Sequence, residues 1–178
     1  MNKELLKLAR DAIKCKLENK DLVVSENIKK KYAEHQACFV SLSINNKLRG
    51  CIGTLEAKKE LYKDVIDNSI HAAFSDPRFP PLKNSELANI KIEISILSIP
   101  RKLDWTDEKD LLKKINKKMG IILKKGFYSS TFLPQVWEQL PDKVDFLENL
   151  SIKAGLSKDS WKDSEFWFYK VKSIKEAD

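Results

Sequence analysis

Two adjacent asparagines, Asn45-Asn46, separate two segments in which apolar residues alternate with small or polar ones. Asparagine tolerates the positive φ that a tight hairpin turn requires. The alternating apolar residues before the turn are Cys38, Val40, Leu42 and Ile44. Residues 48–55 return as the partner strand. The pattern therefore predicts a β-hairpin over residues 37–56, so the fold must contain a sheet with neighbouring antiparallel strands.

The returning strand carries an arginine and a cysteine two positions apart, Arg49 and Cys51. Side chains alternate across a strand, so we expect Arg49, Cys51 and Gly53 to share one face. A fixed positive charge beside a thiol favours the nucleophilic thiolate. Gly50 and Gly53 leave space in which another backbone or a ligand can approach closely. The segment predicts a site with Cys51 and Arg49 as its candidate catalytic residues.

A helix is predicted over residues 59–74, and it carries a histidine near its end. His71 follows Asp67 by four positions and Asp64 by seven, so the three share one stripe of the helix. Two interpretations stay open. His71 is either an exposed histidine supported by acidic neighbours or a proton carrier that the fold brings near Cys51.

Three prolines prevent that helix from continuing beyond residue 76, since each fixes φ and lacks a donor. The segment 75–81 should therefore be a stiff, extended loop that holds Asp76 and Arg78 in place. Opposite charges at these positions fit either a structural ion pair or a ligand clamp, and the residues alone leave both open.

The remaining patterns mix strands with helices. Four isoleucines alternate over residues 90–96, which predicts a strand with Glu93 on its other face and makes Glu93 a candidate site residue. Helices are predicted over 3–19, 107–118 and 143–154, a hairpin over 120–133, and a closing strand over 165–174. Together the patterns predict an α+β fold with largely antiparallel sheets.

Composition narrows the class of protein. The 178 residues suffice for one domain or two small lobes. The three cysteines form no paired motif, and neither of the two histidines is spaced from a cysteine as a metal ligand, so we expect no His/Cys metal site. The first residues form a charged helical pattern and no apolar run approaches the length of a membrane span, so we expect a cytoplasmic protein without a membrane segment. The net charge of +7 comes from scattered lysines, which fit a solvated surface better than a nucleic-acid interface.

Five segments of this sequence resemble one known family in the family's own order. Residues 48–54 (LRGCIGT) resemble the signature of the AMMECR domain, which in bacteria and archaea is called AmmeMemoRadiSam system protein A. The further segments are 72–82 (AAFSDPRFPPL), 93–98 (EISILS), 131–137 (TFLPQVW) and 153–156 (KAGL). The resemblance covers nearly the whole chain.

The resemblance implies a single AMMECR-like domain over residues 1–178, with two lobes of which the larger is formed by both chain ends. It implies genomic association with a Memo-like protein and a radical S-adenosylmethionine enzyme, and it supplies neither an established reaction nor a cofactor. It also implies a site where the Arg49–Gly53 motif faces Asp76 and Arg78.

Three functions follow as hypotheses. The first is a protein that modifies a small molecule, with Cys51 as nucleophile or redox thiol and with Arg49 binding an anionic group or stabilising the thiolate. In this hypothesis Asp76, Glu93 or His71 would act as the base. The second is a non-catalytic module that binds an anionic ligand or a partner of the same system, because arginine suits carboxylate and phosphate. The third, ranked last, is nucleic-acid binding.

Overall fold

In the computed structural model, which describes residues 3–177, the chain forms two compact units. One unit runs to Leu97 and resumes at Lys172, and the other comprises Ser98–Val171. The strands form two four-stranded sheets, and the paired strands run antiparallel. The predicted α+β class with largely antiparallel sheets is confirmed.

The helices are α1 (Lys3–Leu17), α2 (Glu26–Lys31), α3 (Leu61–Phe74), α4 (Glu108–Lys114) and α5 (Lys143–Lys153). The strands are β1 (Cys38–Ile44), β2 (Lys47–Gly53), β3 (Lys91–Leu97), β4 (Arg101–Leu103), β5 (Gly120–Lys125), β6 (Tyr128–Phe132), β7 (Glu165–Tyr169) and β8 (Val171–Lys175). Short 3-10 helices cover Asn84–Glu86, Pro134–Glu138 and Lys158–Asp163.

The first sheet has the strand order β2-β1-β3-β8, so β2 lies at its edge. Alternate residues of β1 and β3 enter one apolar core with residues of α1 and α3. The fully buried members include Val40, Ile94 and Val65, each with no exposed surface. Because side chains alternate along a strand, the opposite face of this sheet carries the intervening, more polar residues.

The second sheet has the order β4-β7-β5-β6 and a core of its own. The rings of Trp137 and Phe146 stack there with centroids 3.6 Å apart. Helix α5 begins where predicted, because the Asp142 side chain accepts hydrogen bonds from the backbone N–H groups of Val144 and Asp145. Gly155, which follows the helix, has a φ of +82°.

The predicted hairpin is confirmed, and both turn asparagines have positive φ, 50° at Asn45 and 60° at Asn46. The pairing of β1 with β2 contains an irregularity that the pattern did not predict. Leu42 pairs with Gly50 and Ser43 pairs with Leu48, so the register skips Arg49. This β-bulge interrupts the strict alternation that would have placed Arg49 and Cys51 on one face.

The closing strand predicted over 165–174 is two strands, β7 and β8, which belong to different sheets. Residues 166–169 are four consecutive aromatic residues, and Val171 follows after a single lysine, so neither a glycine nor a proline marks the break. Among residues 3–177, no helix has the length and apolar character needed to cross a membrane.

Candidate functional site

Cys51 lies in a row of polar side chains that crosses the first sheet. Ser41 pairs with Cys51 on one side and with Glu93 on the other, so the three residues occupy neighbouring positions on β2, β1 and β3. The Ser41 hydroxyl donates a hydrogen bond to the Cys51 sulfur at 3.1 Å. A donor at this place stabilises negative charge on the sulfur atom. Cys51 is neither fully buried nor fully exposed.

The backbone of Cys51 faces away from β1, toward the loop after α3. Its N–H donates to Asp76 Oδ2 at 2.8 Å, and its carbonyl oxygen accepts from Arg78 Nη2 at 3.3 Å. An edge strand otherwise presents such groups to solvent or to another chain. Asp76 and Arg78 therefore take the place of a neighbouring strand at this one residue and fix the backbone that carries the thiol.

Asp76 and Arg78 also bind each other. Arg78 Nε donates to Asp76 Oδ1 at 3.0 Å and Arg78 Nη2 donates to Asp76 Oδ2 at 2.7 Å. The Asp76 side chain is 2% exposed and that of Arg78 is 55% exposed. The Arg78 guanidinium, together with the backbone N–H groups of Cys51 and Arg78, holds the pKa of the Asp76 carboxyl well below its usual range. Asp76 and Arg78 therefore form an ion pair in which only the carboxylate is buried.

Arg49 makes its contacts away from the thiol. Its Nε and Nη2 donate to the two carboxylate oxygens of Glu86, at 2.7 and 3.1 Å, and Nη2 also donates to the Pro80 carbonyl at 2.9 Å. Hydrogen bonds from Arg49 lower the pKa of Glu86. The remaining nitrogen, Nη1, is buried without a hydrogen-bond partner among the described residues. Arg49 therefore ties the bulge to the loop that carries Asp76 and Arg78.

The two glycines of the motif permit close packing. A β-carbon added at Gly50 would lie 2.1 Å from the carbonyl oxygen of Ala72 in α3. One added at Gly53 would lie 2.2 Å from the Phe39 ring and 2.7 Å from the Cys38 carbonyl oxygen. The space at both positions is thus filled by the protein itself, and Gly50 lets the end of α3 approach β2.

The other predicted residues differ in their surroundings. Glu93 lies two strands from Cys51 and accepts a hydrogen bond from the Ser173 hydroxyl. His71 is exposed, and its side chain forms no hydrogen bond or ion pair within the described part of the chain. Asp64 does not support His71 as an acidic neighbour, because Asp64 is 2% exposed and accepts from the Cys38 N–H and the Thr54 hydroxyl.

Sequence reasoning missed three residues of this neighbourhood. Ser41 was predicted to lie on the polar face of β1, but nothing singled it out until the register placed it beside Cys51. Glu86 lies 37 residues after Arg49, and only the fold brings the two together. Phe79 was part of a recognised segment, and its ring centroid lies 5.9 Å from the Arg49 guanidinium and 5.5 Å from that of Arg78. Within residues 3–177, no group of three or more His, Cys, Asp or Glu side chains is arranged to hold a metal ion.

Comparison with known proteins identifies the family. The AMMECR1 family model matches residues 6–174. Protein NEQ441 of Nanoarchaeum equitans is 39% identical over 168 residues, which cover 93% of each chain. Protein MK0488 of Methanopyrus kandleri is 37% identical, over 98% of this chain and 87% of the relative. The chain belongs to the AMMECR1 family, and the resemblance drawn from its motifs is confirmed.

A solved structure has the same fold. The crystal structure of the uncharacterized protein PH0010 from Pyrococcus horikoshii aligns with a TM-score of 0.88 and 32% sequence identity. The alignment covers 97% of this chain and 90% of the other. The names of these relatives state no activity, so the function of this chain has to be argued from its own residues.

Proposed function

We propose that this AMMECR1-family protein modifies a small molecule through a nucleophilic thiol at Cys51. The hydrogen bond from Ser41 Oγ to Cys51 Sγ, 3.1 Å long, is the observation that carries the proposal. A hydroxyl donor stabilises the developing charge as a thiol becomes a thiolate, which is the reactive form. The thiol proton would pass to a base, and the thiolate sulfur would form a bond to an electrophilic carbon of the substrate while a leaving group departs from that carbon with its electron pair.

The backbone around Cys51 supports the same proposal. Asp76 and Arg78 fix the N–H and the carbonyl oxygen of Cys51, and two residues earlier on the same strand the Arg49 side chain binds Glu86. A reacting group is effective when its position is set by rigid elements and by neighbouring hydrogen bonds. In this proposal Asp76 and Arg49 position the thiol and do not themselves act on the substrate. Glu93, two strands away in the same row of side chains, is the candidate base.

Alkylation of the folded protein tests the proposal without a known substrate. Iodoacetamide is applied at pH 7, and the rate at each cysteine is followed by peptide mass spectrometry. Cys15, which is also intermediate in exposure, is the matched internal control, and buried Cys38 should stay unlabelled until the protein unfolds. We expect Cys51 to react at least about tenfold faster than Cys15. Equal rates at Cys51 and Cys15 would remove the nucleophile from the proposal.

We further propose that the protein works with a Memo-like protein and a radical S-adenosylmethionine enzyme. Membership of the AMMECR1 family supports this, since the association is the one that the motif resemblance implies. Co-expression of the three proteins from one genome, followed by size-exclusion chromatography, tests for a complex. We expect co-elution with at least one of the two, and separate elution of all three at micromolar concentration would contradict a stable assembly.

A further inference from the structure

The guanidinium of Arg78 is held in one orientation while one of its nitrogens stays unused. Nε and Nη2 both bind Asp76, and Nη2 also reaches the Cys51 carbonyl oxygen at 3.3 Å. This two-point contact with a buried carboxylate fixes the plane of the guanidinium. Nη1 has no hydrogen-bond partner among residues 3–177, and the side chain is 55% exposed. Arg78 thus presents a preorganised donor to solvent, one hydrogen bond away from the backbone of Cys51.

Arg49 repeats this arrangement below the surface. Its Nε and Nη2 bind Glu86, and its Nη1 is buried without a partner in the described chain. Both guanidinium groups lie within 6 Å of the centroid of the Phe79 ring, at 5.9 and 5.5 Å. A buried donor without an acceptor is uncommon and calls for a specific explanation. Because Arg49 Nη1 is buried, Nη1 of Arg78 is the donor of this pair that an oxyanion in solvent can reach.

The two carboxylates nearest to these arginines leave Nη1 of Arg78 free for a ligand. Asp76 and Glu86 are each engaged by an arginine, and both keep a lowered pKa because of it. Glu93 lies two strands away from Cys51 along the row of side chains. Each arginine is therefore paired with its own ionised carboxylate, and the group left to bind an anion is the exposed Nη1 donor of Arg78.

We propose that Arg78 forms an anion subsite beside Cys51, so that the small molecule attacked by the thiol carries a carboxylate or phosphate close to its electrophilic carbon. The inference rests on the proposed thiol function and adds the substrate class to it. Nη1 of Arg78 makes the contact at the surface, and Phe79 covers the apolar part of the molecule.

Two alkylating reagents that differ in one group test the subsite. Iodoacetate carries a carboxylate next to the reacting carbon, whereas iodoacetamide carries a neutral amide. In both reactions the thiolate sulfur forms a bond to the CH2 carbon, the carbon–iodine bond breaks, and iodide leaves with its electron pair. The ratio of the two rates at Cys51, divided by the same ratio at Cys15, measures anion recognition alone. We expect a value of about ten, and saturation with iodoacetate.

Phosphate competition in the unmodified protein tests the subsite even if a variant at Arg78 fails to fold. Inorganic phosphate at constant ionic strength should slow the reaction of Cys51 with iodoacetate in the unmodified protein. Arg78→Gln should bring the normalised ratio to about one, Arg78→Lys should retain part of the preference, and Arg101→Gln, at an exposed arginine of the other unit, should leave it unchanged. The carboxylate and phosphate arms distinguish the two oxyanions.

The two proposals can fail separately. If Cys51 reacts rapidly with iodoacetamide but its normalised ratio is about one and phosphate has no effect, the anion subsite is overturned and the thiol function stands. If Cys51 reacts no faster than Cys15 with either reagent, the thiol function fails and the subsite falls with it.

Discussion

Asp76 accepts the backbone N–H of Cys51 at 2.8 Å, although 25 positions separate the two residues in the chain. The bond joins an edge strand to the loop that follows α3. It also explains why two short motifs occur together in this sequence: one supplies the strand edge and the other supplies the side chains that close it. The arrangement makes the carboxylate of Asp76 a structural requirement of the site.

Replacement of Asp76 by asparagine should destabilise the first unit by about 2–4 kcal/mol, because the buried group loses its charge and one of its two accepting oxygens becomes an NH2 donor that cannot accept from Arg78 or the Cys51 N–H. All four tryptophans lie in the second unit, so urea unfolding of the first unit should be followed by far-UV circular dichroism, to which its helices α1 and α3, the longest described, contribute most. Asp67→Asn is the matched control, since Asp67 and Lys59 form a half-exposed pair. It should cost less than about 1 kcal/mol. Similar losses in the two variants would show that the loop is not held by Asp76.

Acid should weaken the first unit through the same carboxylate. The folded pKa of Asp76 is lowered, chiefly by Arg78, so the unfolded chain binds its proton at higher pH than the folded chain does. The stabilisation is therefore complete above the ordinary aspartate value of about 3.9 and is lost as the pH falls from there toward the lowered folded pKa. Unfolding free energies measured between pH 7 and pH 3 should fall less steeply for Asp76→Asn than for the unmodified protein. Parallel curves would exclude Asp76 as a source of the pH dependence.

A methyl group at Gly50 should be costly. It would lie 2.1 Å from the carbonyl oxygen of Ala72, and strand β2 and helix α3 cannot move apart without opening the core between them. We expect Gly50→Ala to lower the free energy of unfolding by about 3 kcal/mol or more. Gly126→Ala is the comparison, because Gly126 has open space around it and only its φ of +59° is unfavourable for alanine. That variant should cost about 1–2 kcal/mol, and a smaller loss at Gly50 than at Gly126 would refute the packing argument.

Local patterns predicted much of the fold. The asparagine turn, the isoleucine strand and the capped helix α5 depend on residues near one another in the chain, so the sequence contains the information directly. The bulge at Arg49 could not be predicted, because it depends on how β1 and β2 align after the turn. The break between β7 and β8 was missed because a run of bulky apolar residues does not indicate which sheet a strand joins.

The sequence predicted which residues of the candidate site lie near one another better than it predicted their contacts. Arg49, Cys51, Asp76 and Arg78 do come together, but Arg49 binds Glu86 and not the thiol. An arginine two residues before a cysteine indicates a charge beside the thiol only if side chains alternate regularly along the strand, and the bulge at Arg49 breaks that alternation. Ser41 and Glu86 became visible only in three dimensions, because cross-strand neighbours and ion-pair partners depend on register and loop path.

The pairing of Arg49 with Glu86 should itself be measurable. A double-mutant cycle with Arg49→Gln and Glu86→Gln should give a coupling free energy of about 1–2 kcal/mol, because the pair is bidentate and its side chains are only 12% and 26% exposed. The exposed pair Lys102–Glu165, at 3.4 Å, serves as the control cycle and should couple by less than about 0.5 kcal/mol. Urea unfolding measures both cycles, followed by circular dichroism for the first unit and by tryptophan fluorescence for the second. If Arg49 and Glu86 couple no more strongly than the control pair, Arg49 does not stabilise the bulge through Glu86, and its contact with the Pro80 carbonyl becomes the main link to the loop.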